Sequence, residues 1–389
     1  MSEQLVYDPV SPEAHADPYP IYARLRDEAP LYFVEPHNVW ALSRYADVQG
    51  ALRDWEVFSS AQGVELGEYV QFFGEGSIQE LDPPHHDVIR KILAPRFTSR
   101  RIKEYEPMVL ESAEELLNEI STGEVDLGLH YTQRLPMLTI LRILGIPEKD
   151  IPWTITTGLE MLRRPPGESG PSAKAAELRT ELVSFMEDLV THRRSGNMSD
   201  DVLGDIAQGI DAGLMKTSEI QGLTLLLIAA GMETTTSLIG NITHSVAVGQ
   251  VSADQLLNEN GQLPQTAITE YLRLDAPGQW LSRVTTRPVS MHGVDLPTGS
   301  RVLTIFASAN RDPREFDHAD ELRFDRDGSR NLAFGEGVHF CLGMSLARLE
   351  TRVGISALLQ RYPELTLAGS PTRYQSHVIR GYESIPVKL

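Results

Sequence analysis

The sequence predicts a mainly α-helical fold with a minor β region, built as one large helical domain over residues 1–389. Three observations carry this. Between Asp82 and Val202, apolar residues recur at three- and four-residue steps, as in MVLESAEELLNEI and AAELRTELVSFMEDLVTHRR. Residues 218–248 read as one long helix, apolar nearly all round in its first half and therefore buried. Strand-like alternation is concentrated in PVSMHGVDLPTGSRVLTI (288–305), with turn residues at Gly293 and Pro297-Thr-Gly299.

The remaining elements follow in order. DPYPIYARLRDEAP predicts a helix entered through Pro20, since proline is tolerated in a first turn. VWALSRYADVQGALRD predicts a strand running into a helix. Residues 61–80 hold Gly63, Gly67, Gly74 and Gly76 and show no period, which predicts a long loop. RRPPGESGPSA (163–173) is a Pro/Gly/Ser loop and the one candidate linker, with helical pattern close on both sides. TAITEYLRL (266–274) predicts a short helix. A loop over 309–340 leads to Cys341, where a last helix, LGMSLARLETRVGISALLQRY, is expected to begin.

Composition excludes several classes. A net charge of −19 opposes nucleic acid and anionic membrane as partners. The single cysteine, Cys341, excludes an internal disulfide framework, an all-cysteine zinc site and a cysteine-ligated iron–sulfur cluster. A reducing cytoplasm is its simplest home. The N-terminal stretch MSEQLVYDPVSPEAHADPYP has neither an apolar core nor a basic run, so it is not expected to be a leader or anchor. The longest apolar run, Leu225-Leu-Leu-Ile-Ala-Ala230, is far short of the ~20 residues of a spanning helix.

Cys341 lies in AFGEGVHFCLG. A lone cysteine is most often a small buried hydrophobe. Here glycines surround it and a helix starts beside it, so unpaired N–H groups and the helix dipole favour a thiolate. A thiolate serves as a nucleophile, with His339 as its base, or as a metal ligand.

The string Phe334, Gly337, His339, Cys341 and Gly343, F-x-x-G-x-H-x-C-x-G, resembles the haem-binding loop of the cytochrome P450 monooxygenases. The resemblance implies the fold of that family, with haem b between the long central helix and the cysteine-loop helix. It implies Cys341 as the axial thiolate, which donates charge to iron and favours O–O cleavage, and Phe334 against the cysteine side of the haem. Ala230-Gly-Met-Glu-Thr-Thr235 resembles the family's oxygen-activating motif. Glu233 and Thr234 would then be the catalytic acid–alcohol pair that relays protons to dioxygen. Threonine also bends a helix by bonding an earlier carbonyl. Glu270 and Arg273 match E-x-x-R, a structural pair expected to be joined by Arg323. His86, Arg90, Arg283 and His339 match the contacts to the haem propionates, which need cationic or donor partners.

The resemblance also suggests which residues line the substrate pocket: Val64, Leu66, Tyr69, Val70, Phe72 and Phe73; Leu226, Ala229 and Ala230; Trp280 and Leu281; Val378 and Ile379. The set is apolar, and no lysine or arginine enters the long helix near Ala229. This predicts a small, neutral, largely apolar substrate, aromatic compounds included, attacked by C–H hydroxylation or oxidative O-dealkylation. Electrons must come from a separate ferredoxin and reductase, since no G-x-G-x-x-G follows a strand. The segment RKILAPRFTSRRIK (90–103) carries Arg90, Lys91, Arg96, Arg100, Arg101 and Lys103 and no acid, which suggests a docking patch for an acidic ferredoxin. The other readings are a peroxide-driven haem-thiolate peroxygenase, a haem sensor without turnover, and a cysteine hydrolase using Cys341.

Overall fold

The computed structural model describes residues 4–164, 168, 170–328 and 330–389. Its axis is the helix Ile220–Ala247, called the central helix below. Twenty-eight residues long, it packs against the helices Arg134–Leu144, Ala173–Arg194 and Met344–Arg361. Gly231 shows how close one of these crossings is: a Cβ there would meet Ile140 Cγ1 at 2.5 Å. By length and hydropathy this helix would suffice to cross a membrane, contrary to the expectation from its longest apolar run. Its most apolar window is, however, 83% buried inside the protein, so protein already covers that surface.

Tyr19–Glu28, Tyr45–Arg53, Ala173–Arg194 and Gln265–Leu274 stand within one to three residues of their expected ends, whereas Ser99–Glu119 begins nine residues ahead of MVLESAEELLNEI. The β region is wider than the sequence suggested. In the main sheet, the hairpin Leu31–Val34 and Val39–Leu42 is followed by Arg301–Thr304, Leu281–Thr285 and Phe58–Ser59. Val39–Leu42 runs parallel to Arg301–Thr304, with Trp40 opposite Val302. The sheet thus ties the N-terminal sixty residues to residues 281–304. Arg283, expected ahead of the strands, is inside one. Side chains alternate along a strand, so Leu281 and Arg283 share a face. A second hairpin, Thr372–Arg373 with Tyr382–Ser384, holds a loop that carries Val378 and Ile379.

The candidate linker is not loose at its start: Arg164 is 2% exposed and held in the core. Pro165, Pro166, Gly167 and Ser169 lie outside the described residues.

The E-x-x-R pair is buried and bidentate. Arg273 Nε donates to Glu270 Oε2 at 2.9 Å and Nη2 to Oε1 at 2.8 Å. Its remaining N–H groups hold the carbonyls of Asn310, Ala319 and Glu321, which pins the loop leading to Cys341. The third member is Arg326 rather than Arg323. Arg326 Nε reaches Glu270 Oε1 at 3.3 Å, while the Arg323 side chain turns outward to Asp325 and only its backbone N–H meets Glu270. The physical reason is register in a turn: three residues on, the chain has curled back over Glu270.

Removing one partner of a buried ion pair costs about 3–5 kcal/mol, and exposed pairs contribute about 0–1 kcal/mol. Arg273→Ala should therefore cost about 3–5 kcal/mol in equilibrium urea unfolding. Arg326→Ala should cost about 1–3 kcal/mol, and Arg323→Ala less than about 0.5 kcal/mol. The reverse order for Arg323 and Arg326 would contradict this geometry.

Candidate functional site

The cysteine loop is a tight hairpin closed by Cys341 N–H donating to Phe334 O at 2.9 Å. Gly337 has a φ of +70°, and a Cβ there would meet Leu52 O at 2.6 Å. Its glycine character therefore answers close packing on the helix Tyr45–Arg53, not only approach to a flat ligand. The following helix begins at Met344, three residues later than expected. Even so, the N–H groups of Gly343 and Met344 reach the sulfur. Burial pushes the Cys341 thiol above its ordinary value; the Gly343 N–H, the Arg90 guanidinium and the Met344 N–H pull it back without overcoming burial. A coordinated metal ion would deprotonate such a thiol outright.

Cys341 lines an internal cavity of about 310 Å³. His86, Arg90, Arg283, Phe334, His339 and Gly343 line it too, as do Glu233 and Thr234 from the central helix. Gly337 borders the loop without lining the cavity. The helix His85–Leu93 presents His86 and Arg90 on one face, as their spacing of four requires. The His86 and His339 rings meet edge to face, 4.7 Å between centroids, and the Nε2 atom of each is buried without a partner. Arg283 is 3% exposed, and among the described residues its guanidinium donates only to the neighbouring Ser282 O; burial lowers it to about 10, against the pull of Asp82. His339 falls to about 2, through burial and then the charges of Arg283, His86 and Arg90. Two guanidiniums and two imidazoles thus crowd one end of the cavity; Asp87 meets His86 Nδ1 at 2.8 Å from outside the lining, and Glu336, which lines the cavity, spends Oε1 on Arg53. That donor set suits a ligand carrying two carboxylates. With the half-buried Cys341 lining the same cavity, the residues present fit a haem. A histidine so poor at holding a proton, and turned onto His86, is also ill placed to serve as base to Cys341.

The central helix supplies the other wall. Among its closely buried residues Ala230 is exposed and Thr234 half-buried, because both face the cavity. Thr234 Oγ1 donates to Ala230 O at 3.0 Å, and Ser237 Oγ to Glu233 O at 2.8 Å, yet the helix stays continuous. Glu233 is 5% exposed and does not reach solvent. Arg164 holds it: Nη1 donates to Glu233 Oε1 at 3.2 Å, while Nε and Nη2 grip both oxygens of Glu65 at 2.9 and 3.0 Å. Glu65 takes the larger share of the guanidinium. Burial therefore raises Glu233 to about 7, Arg164 lowers it in part, and Glu65 raises it further. Neither Arg164 nor Glu65 was found from the sequence. The visible signal was an arginine pair set directly before prolines, which reads as loop.

The pocket expectations divide. Phe73, Leu226, Ala229, Ala230, Trp280, Leu281, Val378 and Ile379 line the cavity. Val64, Leu66, Tyr69, Val70 and Phe72 do not. Tyr69 and Phe72 pack on Arg164, which lies 5.6 and 5.4 Å from their ring centroids, and Tyr69 meets His377. Leu66 is buried with Trp280 and Ile379. Val64 is spent on backbone pairing with Ser282 and Val70. Residues 61–80 thus form a packed shell around the cavity wall, with Ile78 and Gln79 reaching the cavity instead.

The basic segment 90–103 also divides. Arg96 is 7% exposed and bound to Asp200 and Asp205, so it belongs to the interior. Arg101 pairs with Glu104 and Asp200. Arg90 turns inward, donating to Phe340 O at 2.6 Å. Lys91, Arg100 and Lys103 remain exposed, Arg100 loosely paired with Glu104.

Comparison with known proteins gives a consistent answer. The family model described as Cytochrome P450 matches residues 246–374. Putative cytochrome P450 123 of Mycobacterium tuberculosis is 34% identical over 99% of this chain and 97% of its own. The 6-deoxyerythronolide B hydroxylase of Saccharopolyspora erythraea is 34% identical over 99% of each chain. Among solved structures, epothilone D-bound cytochrome P450epoK superposes with a TM-score of 0.89 at 27% identity, covering 99% of both chains.

The raised Glu233 has a stability consequence. Between about 4.5 and 7 the native state holds a proton that the unfolded chain has lost, so stability falls as pH rises through that window. Glu80, also raised to about 7, acts with the same sign. In melting curves of the haem-loaded protein at pH 5 and pH 8, Glu233→Gln should show a smaller loss than the parent. An equal loss in both would contradict the assignment.

Proposed function

The chain belongs to the cytochrome P450 family, and we propose that it hydroxylates a neutral, largely apolar organic molecule with dioxygen and electrons from a separate ferredoxin. Oxidative O-dealkylation would follow from the same C–H attack. Members of this family are haem-thiolate oxidoreductases, so a cysteine hydrolase is set aside.

When bound, the haem activates dioxygen and supplies the oxidising power for C–H attack. The chain's own residues do the rest. Cys341 would supply the thiolate ligand, and His86, Arg90, Arg283 and His339 would hold the propionates. Glu233, poised near neutrality, holds and releases a proton beside Thr234, whose hydroxyl carries it into the cavity. Arg164 keeps Glu233 in place without stripping it of its proton, because Glu65 occupies most of the guanidinium. Leu226, Ala229, Trp280, Leu281, Val378 and Ile379 exclude water and orient the substrate by shape.

The observation that carries the reading is one cavity lined by Cys341 from the loop and by Glu233 and Thr234 from the central helix. A proton relay has no use in a haem carrier. Neutrality of the substrate rests on Arg164, the cation beside Glu233: two carboxylates already hold it, so a substrate acid would find no free partner. The name of the hydroxylase relative supports the reaction type. Lys91, Arg100 and Lys103, next to the loop that Arg90 holds, form the ferredoxin surface; charge of this kind governs association rate more than affinity. A cytoplasmic location and a single domain over the whole chain complete the proposal, the latter supported by strands that pair across most of its length.

The test is turnover of the haem-loaded protein with NADPH, a ferredoxin reductase, an acidic ferredoxin and labelled dioxygen, over neutral and carboxylated substrates. Neutral apolar compounds should yield a product carrying one labelled oxygen, and reversal of Lys91, Arg100 and Lys103 to glutamate should slow reduction at least tenfold at low salt. Label from water, turnover confined to carboxylates, or unchanged reduction kinetics would each overturn the corresponding part.

A further inference from the structure

A second, much smaller cavity lies between the N-terminal helix Pro12–Ala16 and the loop of the C-terminal hairpin. It leaves about 20 Å³ open to a water-sized sphere, enough for one water or a small ion. Its polar wall is cationic. Arg373, Arg380, His15 and His377 line it with Ser376 and Gln279, and among the described residues no Asp or Glu does.

Several of these groups have nothing to bond. His377 is 6% exposed, and both its ring nitrogens are buried without a partner. Arg373 Nη1 and Arg380 Nε are likewise buried and unbonded. Their other contacts are spent. Arg373 lies 3.9 Å over the Tyr382 ring, and Arg380 donates to His15 O and Ala16 O at 3.0 and 3.2 Å. His15 Nε2 is engaged with Tyr374 O at 2.8 Å. Burial lowers Arg373 first, and the Arg380 charge lowers it next, so the two guanidiniums repel across the cavity. One carboxylate answers them from outside the lining: Asp275, 3.7 Å from Arg380 Nε and a weaker attraction for Arg373. Two positive charges against one negative leave a single positive charge, in a space the size of one ion.

We propose that this cavity binds one small monovalent inorganic anion of chloride size, held by Arg373, Arg380 and His377. Buried polar groups are almost always satisfied, and a buried cation left unpaired is costly. An anion meets both needs, whereas a water satisfies only the hydrogen bonding. Burial keeps His377 neutral, down to about 3, so it contributes one N–H donor rather than a third charge.

The position gives the site a consequence. The same loop places Val378 and Ile379 in the substrate cavity, and the His377 ring stacks on Trp280, 5.7 Å between centroids with 17° between planes. Gln279 N–H donates to Val378 O at 2.8 Å, and Arg380 N–H to Pro277 O at 2.7 Å. An anion joining Arg373, Arg380 and His377 would fix the loop that shapes one wall of that cavity. Halides should therefore tighten substrate binding as well as stabilise the fold. Anion binding itself does not depend on which substrate the enzyme takes.

Crystals of the haem-loaded protein grown in bromide test the site directly. An anomalous bromine peak between Arg373, Arg380 and His377 is expected; light-atom density alone, meaning water, or no density would overturn the proposal. In solution, exchanging gluconate for bromide at constant ionic strength should raise the melting temperature by on the order of 1–2 °C. Arg373→Gln should lose that halide increment. A halide increment equal in parent and variant would also overturn the assignment, and the crystallographic arm stands even where the variant folds poorly.

Discussion

Cys341 is half-buried on the cavity wall, and the burial it has favours the protonated thiol. A bound haem iron would replace that proton, and the surrounding residues suit the exchange. The two N–H groups at the start of the last helix and the Arg90 guanidinium favour the thiolate without being sufficient for it. Arg90 also grips the carbonyl of Phe340, so one side chain steadies the loop and biases its sulfur. Further back, Glu270, Arg273 and Arg326 hold the approach to that loop by its carbonyls. A thiolate ligand positioned by backbone contacts depends on whatever fixes the backbone, which is why a buried ion triad stands behind it.

The opposite problem arises where His86, Arg90, Arg283 and His339 are proposed to hold the propionates. Four donor groups, of which only His86 has a carboxylate bonded to it among the described residues, are poorly placed together until a dianion arrives. Burial lowers both His339 and Arg283, and the neighbouring cations lower His339 further. Glu233 shows the complementary arrangement, an acid raised by burial and only partly offset by an arginine that it shares with Glu65. Placing Glu65 on the same guanidinium converts a fixed charge into a group able to give up a proton near pH 7. The apolar remainder of the cavity keeps water from competing for it.

Much of this was legible in the sequence because it is local. The cysteine loop, the acid–alcohol pair and the E-x-x-R pair each span fewer than a dozen residues, and helical spacing alone puts His86 beside Arg90. What escaped was pairing at long range. Arg164 reaches Glu65 and Glu233 from 99 and 69 residues away, and nothing in its own neighbourhood announces this. Arg326 displaced Arg323 because a turn reverses the chain between them. Arg96 looked like surface charge until Asp200 and Asp205 folded over it. The aromatic loop residues Tyr69 and Phe72 read as pocket, yet they pack on Arg164. The wider sheet was missed for the same reason: its N-terminal strands find partners some 260 residues later.

The claim on which everything else rests is that Cys341 is the thiolate ligand of a haem held in this cavity. The reduced protein with carbon monoxide tests it most directly. The account predicts the red-shifted Soret band of thiolate-ligated haem in the parent and its loss in Cys341→Ala. A band that survives in Cys341→Ala, or a pure protein that takes up no haem when haem is supplied, would contradict it.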